Sequence, residues 1–180
     1  GGEKWIFWLW EKIGEKKELY EITTYRSEKE YSDFRRPDNV SWGKTLEEDV
    51  TRRDFTINAL VVGENDDKWE LIDLVGGIED FEKGLIRAVG EPGRRFGEDA
   101  LRMMRAIRFA SRMGFMIEQE TLEAIKQKSS LLSKISRERV RDELLKIIAS
   151  DYPADGVQLL ISTGLMENII PEVLEGKNTA

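Results

Sequence analysis

An α+β fold is predicted, a mixed α/β head followed by an all-helical remainder, and three observations predict it. Residues 4–11 and 18–25 are aromatic or β-branched runs flanking a charged loop that contains Gly14, the pattern of a β-hairpin. Gly76, Gly77, Pro92 and Gly93 punctuate the middle of the chain. Beyond them, apolar residues recur at three- and four-residue spacing, as they do along the buried faces of helices.

The 180 residues suffice for one medium domain or two small ones. With no Cys and no His, the chain has no disulfides, no zinc site of the usual N/S type, no thiol nucleophile and no histidine acid–base chemistry. Any catalysis must rest on carboxylates, arginines, lysines, hydroxyls or a metal on oxygen ligands. A net charge of −7 excludes a polycation built for a nucleic-acid backbone, although basic residues cluster locally. No apolar run is long enough to cross a bilayer, and the stretch 5–10 is far too short. No basic leader with an apolar stretch and a cleavage site opens the sequence, so a cytoplasmic protein is expected.

In order, the hairpin comes first, its Trp and Phe side chains suited to a sheet core and, as the lesser alternative, to base stacking. Glu21 falls inside the second strand, either on the solvent face or lining a site. Residues 26–46 are polar and carry Arg35, Arg36 and Pro37, which reads as a long loop. Residues 46–53 read as a charged turn or short helix. Asp54 is placed to cap a helix over 55–62, with Phe55, Ile57, Leu60 and Val61 for burial. Arg52, Arg53 and Asp54 form a knot of charge that suits either an ion-pair network or a polyphosphate and ribose site, with Asn58 one turn on to tie it down. Residues 69–75 and 85–89 read as strands joined through a short helical turn. Helices are predicted over 97–115, 118–128 and 136–149, the last with Ser136 as N-cap and Val140, Leu144, Leu145 and Ile148 inward. A final helix begins at Asp151 and is closed by Gly164.

The helix predicted over 97–115 organises the rest. Met103, Ile107, Ala110 and more loosely Ala106 and Met113 share its buried side at about 100° per residue. Asp99, Arg102, Arg105 and Arg108 form a row at three-residue spacing, so that neighbours can touch or share a ligand. A carboxylate accepts hydrogen bonds from an exocyclic amine, while a guanidinium donates in a fixed fork to ring nitrogens and carbonyl oxygens. Asp99 beside Arg102 therefore suits the Watson–Crick edge of a base, and the arginines beyond suit phosphates. The plainer alternative is a solvated helix with acids at its positive end and intrahelical ion pairs along it.

Four motifs in this order carry a family resemblance: RRDFTINAL at 52–60, DLVGGIEDF at 73–81, EDALRMMRAIRF at 98–109 and SRERVRDELLKI at 136–147. The chain resembles the bacterial tRNA nucleotidyltransferase and poly(A) polymerase family, the class II CCA-adding enzymes, from roughly residue 15 onward. The resemblance implies a polymerase-β-like nucleotidyltransferase head, with an incomplete antiparallel sheet and helices, followed by an all-α neck. It divides the chain into a partial head (1–92), a helical neck with the nucleotide-reading helix (93–150) and the start of a helical body (151–180). The implied activity is template-independent addition of CMP and AMP to the tRNA 3′ end, with poly(A) addition or partial CC or A addition as relatives of the same chemistry.

By the same resemblance Asp99 and Arg102 read the base edge, Arg105 and Arg108 contact phosphates or neighbouring groups, and Arg53, Asp54 and Asn58 serve the ribose and triphosphate. Glu21, in EITTYR at 21–26, matches the strand that carries the third carboxylate of the catalytic site. ATP, CTP and the tRNA 3′ end are the implied partners, and Mg2+ the implied cofactor. The family's first motif, a Gly-Ser or Gly-Gly turn and a strand with two aspartates one residue apart, is missing upstream of the hairpin. Asp66 and Asp67, or Glu47, Glu48 and Asp49, are not convincing substitutes for that metal-binding pair. An incomplete enzyme is therefore expected, inactive alone: a truncated piece, one part of a split protein whose missing strand a separate polypeptide or segment supplies, or a sequence with an internal omission near Gly2. A non-catalytic nucleotide- or RNA-binding module and a purely structural fragment are the alternatives of other classes.

Overall fold

The computed structural model describes residues 8–13, 16–21, 27–31, 37–41, 45–65 and 68–175, with side chains over 45–62 and 70–173. Strands β1 (Trp8–Ile13) and β2 (Lys16–Glu21) form the expected antiparallel hairpin, with Trp8 opposite Glu21 and Ile13 opposite Lys16. Residues 4–7, expected in the first strand, and the Glu21 side chain lie outside the described parts. The stretch expected as a long loop contains a second antiparallel pair, β3 (Ser27–Tyr31) and β4 (Pro37–Ser41). SEKEY and PDNVS offer no apolar alternation from which a strand can be read, and Pro37 stands at the first position of its strand, where a missing N–H is tolerated.

Helix α1 (Leu46–Thr51) follows, with the Thr45 hydroxyl accepting from the Glu48 N–H at 3.3 Å and three acids in its first turn, where the helix dipole favours them. The helix expected over 55–62 does not form. Asp54 to Thr56 instead pair with residues 87–89: the Thr56 N–H donates to the Arg87 carbonyl and the Val89 N–H to the Asp54 carbonyl, each at 3.0 Å. A 3₁₀ turn over Thr56–Asn58 leads into β5 (Val61–Asn65), paired antiparallel with β6 (Lys68–Ile72). β-Branched Thr56, Ile57, Val61 and Val62 resist the helix, and a ready strand partner outweighs what a cap at Asp54 offers.

Helix α2 (Gly77–Glu82) packs so closely on the 3₁₀ turn that a Cβ on Gly77 would sit 2.3 Å from the Thr56 carbonyl oxygen. The Thr56 hydroxyl donates to Asp80 at 2.7 Å, and Arg87 donates to the same carboxylate, so the RRDFTIN and GGIED segments are joined through the buried Thr56 and Asp80. Strand β7 (Leu85–Ile86) pairs in parallel with β8 (Met116–Ile117), and through it the first half of the chain is hydrogen-bonded to the helical half. Among the described residues, one main core runs from Phe55, Ile86 and Phe96 through Met103, Met104 and Ile107 to Ile147, Leu160 and Leu165.

The organising helix is shorter than expected. Gly97 and Glu98 belong to α3 (Pro92–Glu98), which starts with Pro92 in its first turn and the Glu91 carboxylate accepting from the N–H groups of Gly93 and Arg94. Asp99 is extended, with φ −145° and ψ 105°, and α4 begins at Leu101 (Leu101–Met113). Helices α5 (Gln119–Lys128), α6 (Arg137–Ile148) and α7 (Pro153–Ser162) complete the part that frames the site. Helix α4 is packed by α6 and α7, and Gly156 of α7 lets backbone approach where a Cβ would meet Ile147 Cγ2 at 2.6 Å. On α6, Val140, Leu144 and Ile147 face inward as a 3.6-residue period requires, whereas Leu145 and Ile148, expected inside, are exposed and Glu143 takes an inward place. Ser136 stands at the N-cap without a side-chain capping bond. No helix among the described residues is long and apolar enough to cross a membrane.

Candidate functional site

The break between α3 and α4 creates a corner, and the RRDFTIN segment and the start of α6 close it into a cavity of about 500 Å³. Arg53, Asp54, Asn58, Asp99, Leu101, Arg102, Arg105 and Arg139 line it. Four guanidiniums against two carboxylates leave the walls cationic, which suits an anionic ligand of nucleotide size.

Each wall is held by its own ion pairs. The Asp54 carboxylate accepts from its neighbour's N–H (Phe55, 3.0 Å) and from Asn58 Nδ2 (3.3 Å) through Oδ1, and from Arg105 Nε (2.7 Å) through Oδ2. Arg53 is anchored from behind, its Nη2 donating to buried Asp49 Oδ2 at 2.8 Å, while Arg52 Nε takes Oδ1 at 2.8 Å. Burial pushes the Asp49 carboxyl up, but the hydrogen bonds and charges of Arg52 and Arg53 outweigh it and hold it below the ordinary carboxylate value.

The Asp99 and Arg102 side chains share the cavity without pairing to each other, the two residues being joined only by the Arg102 N–H donating to the Asp99 carbonyl at 3.0 Å. Asp99 Oδ1 accepts from the Leu101 N–H at 3.0 Å, tying down the first turn of α4, and Oδ2 accepts from Arg139 Nη2 at 2.9 Å. Arg102 Nη1 donates to Glu98 Oε2 at 2.8 Å and to the Arg95 carbonyl at 3.3 Å, and its Nη2 reaches the Arg52 carbonyl at 3.4 Å. Burial raises the Glu98 carboxyl, yet the charge of Arg95 and the hydrogen bond and charge of Arg102 bring it below its usual value.

The structure thus gathers six predicted residues, Arg53, Asp54, Asn58, Asp99, Arg102 and Arg105, around one cavity. Arg108 is elsewhere: its Nε donates to Glu143 Oε2 at 2.7 Å and its guanidinium lies 4.3 Å from the Phe109 ring centroid. Glu21 ends β2, and its side chain is outside the described residues. Arg139, Glu98 and Arg95 were not singled out by sequence, and Asp49 was weighed there only as a metal ligand, not as the anchor of Arg53. Nothing in the helix period of α6 separates Arg139 from Arg137 or Arg141, and its role follows only from where α6 crosses α4. Among the described residues no group of three or more acidic side chains converges to hold a metal ion.

The carboxylates give a pH dependence. Asp49 and Glu98 both titrate lower in the folded chain than in the unfolded one. Their stabilisation is fully present above the unfolded carboxylate values of about 4 and is lost as pH falls through the depressed folded values. The thermal midpoint is expected to stay level from pH 7 to about 5 and to drop below about pH 4. In Glu98→Gln that acid-side drop should be shallower, as read by melts across the range; parallel curves would sink the assignment.

Two family models match the chain: "Poly A polymerase head domain" over residues 9–87 and "Probable RNA and SrmB- binding site of polymerase A" over residues 114–176. The chain is 52% identical over 148 residues to the CCA-adding enzyme of Limosilactobacillus reuteri, covering 82% of this chain and 36% of that protein. It is 51% identical over 146 residues to the CCA-adding enzyme of Ligilactobacillus salivarius, covering 81% and 35%. In three dimensions it resembles the Bacillus stearothermophilus CCA-adding enzyme in complex with CTP, with a TM-score of 0.72 and 42% identity over 83% of this chain and 35% of that one. The Thermotoga maritima CCA-adding enzyme complexed with tRNA matches with a TM-score of 0.65 and 34% identity, over 71% and 31%. The chain therefore spans about a third of the length of these relatives.

Proposed function

Because the chain belongs to the bacterial tRNA nucleotidyltransferase and poly(A) polymerase family, we propose that it carries the nucleotide-selecting part of an enzyme that adds CMP and AMP to the tRNA 3′ end. The observation that supports this reading is the joint presence of Asp99 and Arg102 in a cavity whose other wall is cationic. Cytosine and adenine both present an exocyclic amine, a donor, where uracil and guanine present a carbonyl, an acceptor. An Asp99 carboxylate accepts from the amines and repels the carbonyls, and a guanidinium beside it donates to the ring nitrogen next door. Selection of C and A over U and G then needs no nucleic-acid template.

Arg53 and Arg105, held by Asp49 and Asp54, are the groups suited to the triphosphate, and Asn58 with Asp54 to the ribose. The reaction forms a bond from the tRNA 3′-oxygen to the α-phosphorus with inversion, and breaks the α–β bridge to release pyrophosphate. Arginines that neutralise the triphosphate lower the cost of that departure. Glu21 is the residue assigned to orient the attacking hydroxyl. Nucleotidyl transfer in this family is generally metal-dependent, and no ligand set for an ion is assigned among the described residues. The sequence also lacks the paired-aspartate motif, so the chain alone is expected to bind nucleotide and not to turn it over. The missing strand would come from a separate segment or polypeptide.

Poly(A) polymerase is the second reading, favoured by the description of the matching head model. The deciding experiment offers labelled CTP and ATP to a tRNA lacking CCA in the presence of Mg2+, with nucleotide binding measured in parallel. Binding of CTP and ATP without incorporation is the expected result. A defined CCA addition would overturn the inactivity of the chain, open-ended A addition would favour the second reading, and no preference for CTP or ATP would sink the base-reading site.

A further inference from the structure

Arg95 does not line the cavity, yet its guanidinium joins two other segments to its own helix. It lies on α3 with its side chain 14% exposed. Its Nε donates to the Val89 carbonyl at 2.9 Å, its Nη1 to Glu98 Oε2 at 2.9 Å, and its Nη2 to the Thr51 carbonyl at the end of α1. The Glu98 oxygen it engages is the one that holds Arg102, and the backbone carbonyl of Arg95 itself accepts from Arg102. The other end of this link, α1, carries the Asp49 that anchors Arg53.

We propose that Arg95 is a positioning residue for base selection, which fixes the Arg102 guanidinium at one end of the cavity relative to the Arg53 wall at the other. The inference rests on the reading of Asp99 and Arg102 as base readers. A ligand recognised at both ends is discriminated only if those ends are held within a fraction of an ångström of the productive spacing. Arg95 does this in two ways. It ties the α1 terminus to α3 through backbone carbonyls, and it shares the Glu98 carboxylate with Arg102. Without that sharing, the largely buried Glu98 keeps Arg102 as its principal partner, since Arg94, the other arginine on it, is 78% exposed. The Arg102 fork is then drawn toward Glu98 and away from a base. Lysine keeps the charge but cannot send donors along three fixed directions in one plane.

The test measures affinities of the full 180-residue chain for CTP, ATP, UTP and inorganic tripolyphosphate, in the native sequence, Arg95→Lys and Arg95→Gln, beside thermal midpoints. Preference for CTP over UTP should fall about tenfold in both variants, the scale of one charge-assisted hydrogen bond. Tripolyphosphate, which has no base, should bind within about twofold of the native chain, because Asp49 and Asp54 still hold Arg53 and Arg105. Retained preference in a folded variant, or a proportional weakening of all four ligands, overturns the proposal. Should both variants fail to fold, Glu98→Ala removes the acceptor through which Arg95 holds Arg102 while Arg95 keeps its two carbonyls, and undiminished preference there overturns it equally. A native chain that shows no preference removes the base-reading premise, and with it this inference, whereas a native preference that survives in the variants removes the inference alone.

Discussion

Glu143→Ala is expected to cost about 3–5 kcal/mol of folding stability, a penalty far above that of a surface ion pair. Glu143 lies on α6 with its side chain 5% exposed, and Arg108 on α4 with 13%. The pair joins two helices that otherwise meet through apolar side chains, with Lys146 adding a second donor to Glu143 at 2.9 Å. Removing the carboxylate strands a guanidinium between α4 and α6, where the face of Phe109 offers only partial compensation. Urea unfolding of the variant measures the loss. A companion double substitution, Arg108→Met with Glu143→Leu, should recover most of it, because exchanging both charges for apolar groups of similar size leaves nothing unpaired. A loss below about 1 kcal/mol in the single variant would mean that Arg108 escapes to water.

That placement of Arg108 shows how far the arginine row could be read. The spacing of Asp99, Arg102, Arg105 and Arg108 is a sequence fact, but six residues of helix turn Arg108 about 120° from Arg102. Arg102 and Arg105 remain on the cavity and Arg108 comes round to α6. The helical second half was legible because its apolar period is strong: Met103, Ile107 and Ala110 are buried as expected. The slip on α6 is one of phase, since Glu143 holds an inward place that a charged residue would not be given from sequence. The polymerase-β-like head followed from four motifs read together, and the family matches bear it out, whereas the remainder expected to be all-helical also carries the short strand β8.

What sequence missed has local physical causes. Strands β3 and β4 are mostly polar and charged, so no alternation marks them. Residues 55–62 are apolar but for Thr56 and Asn58, a composition that a buried strand and a helix share, and only the carbonyl of Arg87 and the amide of Val89 across the gap decide between them. Asp54 was expected to cap a helix. It keeps its role as an acceptor for the following backbone and for Asn58, on a different backbone path. Of the partners of the cavity residues, Arg139 was hidden because its bond to Asp99 spans 40 positions of the chain, whereas Asp49, Glu98 and Arg95 pair at three- and four-residue spacing, which is too common along helices to mark a site.

Asp99→Asn is expected to reduce the preference for CTP and ATP over UTP and GTP by on the order of 10–100-fold, while leaving the fold nearly intact. The carboxylate has two jobs that this substitution separates. Oδ1 accepts from the Leu101 N–H, and an amide oxygen can do the same, so the start of α4 keeps its tether. The bond to Arg139 is lost, but that pair is 29% and 21% exposed and contributes less than about 1 kcal/mol. What changes is the face toward a base: an acceptor that suited an amine becomes a group that can donate to a carbonyl. Asp99→Ala loses the same selectivity and adds about 1 kcal/mol of helix destabilisation, because no oxygen remains for Leu101. Competition binding with the four nucleotides, beside thermal melts, reads both variants. If all four affinities fall together with the melting temperature, Asp99 serves the helix and not the base. If the asparagine variant melts like the native chain and accepts UTP, the hydrogen-bonding character of one side chain is enough to account for selection without a template.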